Sequence, residues 1–156
     1  MPPSTVPNRL ARLYCRFSRL AARLQPLFAL ALRVYVARVF LLSGLTKIHD
    51  WSVTLALFEN EYHVPVLSPA AAAALGTATE LSMPVLVVLG LATRLAAGVL
   101  FVFNIVAVVS YPDLLDIAVK DHVLWGLMLL VLLVYGAGPI AADRWLASRF
   151  RGRPGN

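Results

Sequence analysis

Residues 70–92 read AAAAALGTATELSMPVLVVLGLA, an apolar run with a single acid, Glu80, near its middle. About 20 apolar residues suffice for a helix to cross the hydrocarbon layer of a bilayer. A carboxylate at that depth is costly, so it normally has a partner and often a function. Pro84 follows one turn later. It has no N–H, so the helix bond that would reach the Glu80 carbonyl is missing. One residue therefore offers both a buried acid and a free backbone acceptor.

Moving outward from this run, three more stretches have the length and character of spans: 27–48, 94–110 and 122–138. Tyr111-Pro112 ends the third, and Gly136, Gly138 and Pro139 close the fourth. The whole chain of 156 residues is 60% hydrophobic, above the roughly half that is usual for soluble domains. The expected fold class is all-α: an integral membrane four-helix bundle preceded by an amphipathic interfacial helix. The expected organisation is a basic amphipathic segment at 1–26, a four-span domain at 27–140 and a basic tail at 141–156.

The net charge of +6 does not point to nucleic acid, because the basic residues flank the apolar runs. Arg9, Arg12, Arg16, Arg19 and Arg23 precede the first span, Arg94 lies in the second connection, and Arg144, Arg149, Arg151 and Arg153 follow the last. The opposite side has only Lys47 and Lys120, and it collects Asp50, Glu59, Glu61, Asp113, Asp116 and Asp121. The positive-inside rule then predicts cytoplasmic termini and, in a bacterium, a multi-pass inner-membrane protein. The first five arginines alternate spacings of three and four, opposite Leu10, Leu13, Tyr14, Phe17, Leu20 and Leu24. That pattern predicts a helix lying on anionic lipid, separated from the first span by Pro26. Trp51, Leu55, Phe58 and Tyr62 fall at helical spacing and predict a short interfacial helix in the longest loop.

Depth along each span suggests which polar residues meet. Arg38, Glu80 and Asn104 each lie about ten residues into their spans, hence near the midplane. An Arg38–Glu80 pair is the expected catalytic or site-forming couple, with Asn104 hydrogen-bonded to either partner. One reading is that the three residues only hold helix register. The other is that they line a pocket for a quinone, another small molecule or a proton. Arg33, five residues before Arg38, is expected to snorkel to the cytoplasmic face in a structural role. Small residues at Ser43, Gly44, Ala97 and Gly98 predict close helix contacts.

A second polar group gathers at the outer edge: Lys47, His49, Asp50, Asp121 and His122, with Glu59, Glu61 and His63 in the loop. Lys47 and His122 are ligand-binding candidates alongside Asn104, and the pKa of His122 is tunable. No two histidines share a metal-ligand spacing, so no metal site is expected. All three histidines lie at or beyond the outer edge, which argues against a buried bis-His haem. Cys15 is the only cysteine, so there is neither a CxxC redox pair nor an intrachain disulfide. There is also no phosphate-binding glycine loop and no GxSxG nucleophile. Any redox chemistry would need a diffusible quinone or a partner subunit.

RVFLLSGLTK at 38–47 resembles the first-helix signature of the DoxX family of membrane proteins. ATELSMPVLVVLGLATR at 78–94 is similar to that family's central motif, and GAGPIAADRWL at 136–146 resembles its closing turn, with Asp143 as the acid. The resemblance covers about residues 30–147, with Arg38, Gly44, Lys47, Glu80, Gly90 and Arg94 in matching positions. LFENEYHVP and YPDLLDIAVKDHVLWG resemble a bacterial subgroup encoded beside small secreted or metal-stress proteins. The resemblance implies a four-helix inner-membrane protein. Some relatives are the membrane subunit of a thiosulfate:quinone oxidoreductase, and others associate with thiol- or superoxide-detoxifying enzymes. The implied partners are therefore the lipid bilayer, an oxidoreductase or stress protein, and a second copy of the chain. Family membership leaves the reaction open. The non-enzymatic alternatives are a membrane anchor or assembly factor and a small solute or metal transporter.

Overall fold

A computed structural model describes residues 9–112 and 116–151. Residues 1–8 of the basic segment, Asp113 and the last five residues, Arg153 among them, lie outside the described residues. The chain order is α1 (Arg9–His49), α2 (Trp51–Asn60), α3 (Pro69–Leu89), α4 (Thr93–Ser110), α5 (Asp116–Tyr135) and α6 (Ala142–Arg151). Four of these helices, α1, α3, α4 and α5, are long and apolar enough to cross a membrane. The fold is thus a four-span helical membrane protein.

The bundle turns apolar side chains outward and keeps its buried polar residues inside, beside an apolar core, as lipid as a solvent requires. Val102, Val109, Val123, Leu127 and Val134 are exposed, whereas Arg33, Thr77, Glu80, Thr93, Asn104 and Ser110 are buried. Hydrocarbon does not drive helices together, so close packing and internal hydrogen bonds must. On α1 the buried residues are Arg33, Val36, Ala37, Phe40 and Gly44. On α3 they are Ala72, Ala73, Gly76, Thr77, Glu80, Pro84 and Val87. Both sets follow the three- and four-residue spacing of one helix face. These two faces meet, α3 also packs on α4, and α4 packs on α5. Gly44 makes the α1–α3 contact close, since a Cβ there would lie 3.0 Å from the Glu80 Cβ. Phe40, Val87, Ala97, Leu100, Leu129 and Leu132 form the central core.

Two boundaries differ from the sequence reading. Pro26 does not separate an interfacial helix from the first span; α1 runs through it as one helix of 41 residues. The acceptor that Pro26 leaves unserved is the carbonyl of Ala22, on a stretch exposed along its whole length, where the loss is easily tolerated. Residues from 142 onward, expected only as a tail, begin with helix α6, which has Asp143 in its first turn. The short loop helix appears as α2. The Asp50 carboxylate caps it by accepting from the Val53 N–H at 3.0 Å, and Phe58 is buried on its inner face.

The end of the bundle at the α3–α4 turn is tied by arginines and an aspartate. Gly90 ends α3 in the left-handed region (φ 72°), where a Cβ would lie 2.6 Å from Arg33 Nη1. Arg33 is buried and does not snorkel. It donates to the carbonyls of Val88 (3.2 Å) and Ile140. The Asp143 carboxylate accepts from the Ala92 N–H at 3.1 Å, while its own N–H donates to the Gly90 carbonyl at 3.1 Å. Arg94 donates to the Val134 carbonyl at 3.2 Å, at the end of α5. These bonds satisfy helix-terminal groups that would otherwise lack partners.

Candidate functional site

The opposite half of the bundle encloses a cavity of about 350 Å³. Its walls come from five helices: Phe40, Ser43 and Lys47 of α1, Phe58 of α2, Gly76, Thr79 and Glu80 of α3, Phe103, Ala107 and Ser110 of α4, and His122 and Trp125 of α5. Tyr62 and Val64 close it from the loop after α2. Small-molecule sites typically have this character, apolar and aromatic with a few convergent polar groups.

Glu80 is 4% exposed and pairs with Lys47. The ammonium donates to Oε1 at 3.0 Å and lies 2.8 Å from Oε2. The second contact is ionic only, since Oε2 lacks hydrogen-bond geometry to any partner among the described residues. Lys47 also donates to Ser43 Oγ at 2.8 Å. Lys47 continues the buried stripe of α1, and its long side chain leans back one turn toward the N-terminus to reach Glu80.

The expected Arg38–Glu80 pair does not form. Arg38 is exposed and lies in an apolar groove between α1 and α3, beside Leu41, Leu42, Pro84 and Val88. Both the face and the level differ from the expectation: Arg38 stands off the stripe that carries Ala37, Phe40 and Gly44, and it is Gly44, further along α1, that meets Glu80. Asn104 likewise bonds neither Glu80 nor an arginine. Its Nδ2 donates to the His122 carbonyl at 2.9 Å, and its Oδ1 lies 2.8 Å from His122 Nδ1. The site thus contains two couples, Lys47–Glu80 and Asn104–His122. Lys47, Glu80 and His122 line the cavity, and Asn104 positions His122.

Aromatic rings form much of the remaining wall. Phe40 meets Phe103 and Trp125 edge to face, with centroids 6.3 and 6.2 Å apart. Trp125 in turn meets the His122 ring at 4.9 Å. Tyr62 stacks on Phe58 at 4.8 Å and lies tilted against Tyr111 at 5.0 Å, and the Tyr111 hydroxyl donates to Glu61 at 2.6 Å. Burial pushes the Tyr62 phenol above its ordinary pKa, helped by the negative charges of Glu80 and Glu61. It therefore presents a neutral O–H at the loop side of the cavity. Sequence reasoning missed this closure by Phe58, Tyr62 and Tyr111. The helical spacing of Phe58 and Tyr62 was visible, but their burial against α3 was not.

The sequence matches the model of the DoxX family over residues 28–112, more than half of the chain. That segment contains α2, α3, α4 and nearly all of the spanning part of α1, and so Lys47, Glu80 and Asn104 but not His122. No curated protein and no solved structure matches the chain.

Proposed function

The chain belongs to the DoxX family, and from that premise we propose that it is the membrane subunit of a redox or stress-response system that binds a quinone-type ring in the cavity beside Lys47 and Glu80. The observation carrying this reading is a buried ion pair in the wall of an aromatic cavity of ligand size. Ionisable groups held at membrane depth are functional candidates by default. Lys47 takes the role first expected of Arg38. It pairs with the Glu80 carboxylate and supplies the positive charge beside any negative charge developing on a ligand. Glu80 and His122 are the groups able to exchange protons with a bound ring.

The charge asymmetry supports an inner-membrane orientation with both termini cytoplasmic, which places the cavity toward the outer face. An oxidoreductase or stress-protein partner then supplies or removes electrons, because the chain has no redox centre motif of its own. A second copy of the chain is a further partner under this reading.

The test is mass spectrometry on the gently purified full chain from its native membrane. A retained quinone or a stoichiometric oxidoreductase partner is the expected result, and Glu80→Gln is expected to weaken quinone retention. Only lipid in the wild-type sample, with Glu80→Gln merely lowering abundance, would instead identify an anchor or assembly factor. The Lys47–Glu80 pair gives that second reading its one specific support, because the ammonium is held within the protein by Ser43 and the Glu80 carboxylate. Solute flux in proteoliposomes containing this chain alone would replace both readings with a transporter.

A further inference from the structure

We propose that Asn104 holds His122 in its Nδ1–H tautomer, so that Nε2 faces the ligand as a hydrogen-bond acceptor and the cavity selects a hydroxyl-bearing ring, such as a quinol or phenol, over a carbonyl-only one. This inference rests on the reading of the cavity as a ligand site.

The argument begins with the Asn104 amide. The residue is 4% exposed, and its Nδ2 lies 2.9 Å from the His122 carbonyl oxygen. Turning the amide over would set two acceptor oxygens against each other at that distance, so its orientation is determined. Oδ1 must then occupy the other position, 2.8 Å from His122 Nδ1. An amide oxygen only accepts, so Nδ1 must carry the hydrogen. In a neutral imidazole the remaining nitrogen, Nε2, then has a lone pair and no proton. The same side chain grips both the ring and the backbone of His122, so tautomer and ring direction are set together.

Nε2 has no hydrogen-bond partner among the described residues, and it is not one of the polar atoms sealed away without a partner. It is therefore an open acceptor on a residue that lines the cavity. Lys47 offers no comparable open group. Its ammonium donates to Ser43 Oγ and Glu80 Oε1 and is in ionic contact with Oε2, which is itself sealed. The nearby ring edges of Phe40, Phe103 and Trp125 favour a flat aromatic ligand. A ring that presents an O–H to Nε2 gains a hydrogen bond there, whereas a quinone carbonyl in the same place would face a lone pair with its own. Asn104 is thus a positioning residue, and its effect on ligand choice passes through His122.

Two measurements test this. The first is ¹⁵N NMR of the histidine-labelled full chain in lipid bilayers. The expected spectrum assigns His122 a protonated Nδ1 and an unprotonated Nε2, and Asn104→Leu is expected to shift the population toward Nε2–H. A wild-type His122 in the Nε2–H form overturns the proposal. The second is anaerobic equilibrium binding of a short-chain benzoquinol, its quinone and its di-O-methyl ether. The quinol is expected to bind about tenfold more tightly than either of the others, as one good hydrogen bond allows. His122→Phe is expected to abolish that preference. If the quinone or the ether binds as tightly as the quinol, the ligand reading stands and the selection falls. If none of the three binds, both fall. The wild-type measurements decide the matter even where a variant fails to fold.

Discussion

Lys47 and Glu80, 33 residues apart in the chain, meet at 2.8 Å across the contact that Gly44 keeps close. The close approach and the ion pair depend on each other. A lysine at the end of its stripe reaches the acid only because nothing larger than hydrogen separates the two backbones at Gly44. The pair is mostly buried, with side-chain exposures of 16% and 5%, so neither charge is well solvated without the other.

Removing one partner is therefore expected to be worse than removing both. Lys47→Met or Glu80→Leu alone should cost on the order of 3–5 kcal/mol, because a charge is left unpaired at depth. The double substitution should recover much of that loss. A double-mutant cycle of unfolding in mild detergent measures the difference, and equal losses in single and double variants would disprove the coupling.

Gly44→Val is expected to destabilise the bundle by about 1–3 kcal/mol through overpacking. A Cβ at Gly44 would lie 3.0 Å both from the Glu80 Cβ and from a Leu81 methyl, and α1 would have to move outward. Cysteine crosslinking between α1 and α3 should become less efficient in the variant, and unchanged crosslinking would contradict this.

Arg33→Gln and Arg38→Gln are expected to separate cleanly. Arg33 serves the carbonyls of Val88 and Ile140 and is 1% exposed, so its loss should cost roughly 1–3 kcal/mol. Arg38 is exposed in an apolar groove, and its substitution should leave both stability and the cavity nearly unchanged. Thermal unfolding of the two variants side by side provides the check.

The cap of α2 should depend on pH in one direction. Backbone donation from Val53, then the Ser52 hydroxyl, holds the Asp50 carboxyl below its ordinary pKa. Its contribution is therefore fully present above the unfolded-state value and disappears as pH falls through the lowered folded-state value. Hydrogen exchange at the Val53 amide should accelerate relative to mid-α2 amides in that acid window. Asp50→Asn should retain the cap and lose the pH dependence.

The spans and the importance of Glu80 were legible in the sequence because apolar length and an isolated acid are local signals. The partner of Glu80 was not, because depth along a span does not specify which side of the helix a residue occupies. The face was nevertheless written in the chain. Arg33, Ala37, Phe40, Gly44 and Lys47 recur at three- and four-residue steps, and Arg38 does not belong to that series. The Asn104–His122 couple was harder to see. It joins a mid-span amide to the first turns of the next helix, and α5 begins at Asp116, several residues before the span boundary that hydropathy suggested. The turn residues Gly90, Arg94 and Asp143 matched a family pattern in the sequence. In the structure they tie helix ends together, far from the cavity.

The uninterrupted run of α1 from Arg9 to His49 has a mechanical consequence. At 1.5 Å per residue it is a rod of roughly 60 Å, about twice the thickness of the hydrocarbon layer. The bundle end of the rod is pinned at two levels, by Arg33 on the carbonyls of Val88 and Ile140 and by Gly44 against Glu80. The stretch from Arg9 to Gln25 is exposed along its length, so it reaches roughly 25 Å past the packed part of the helix and carries its arginines out to that distance.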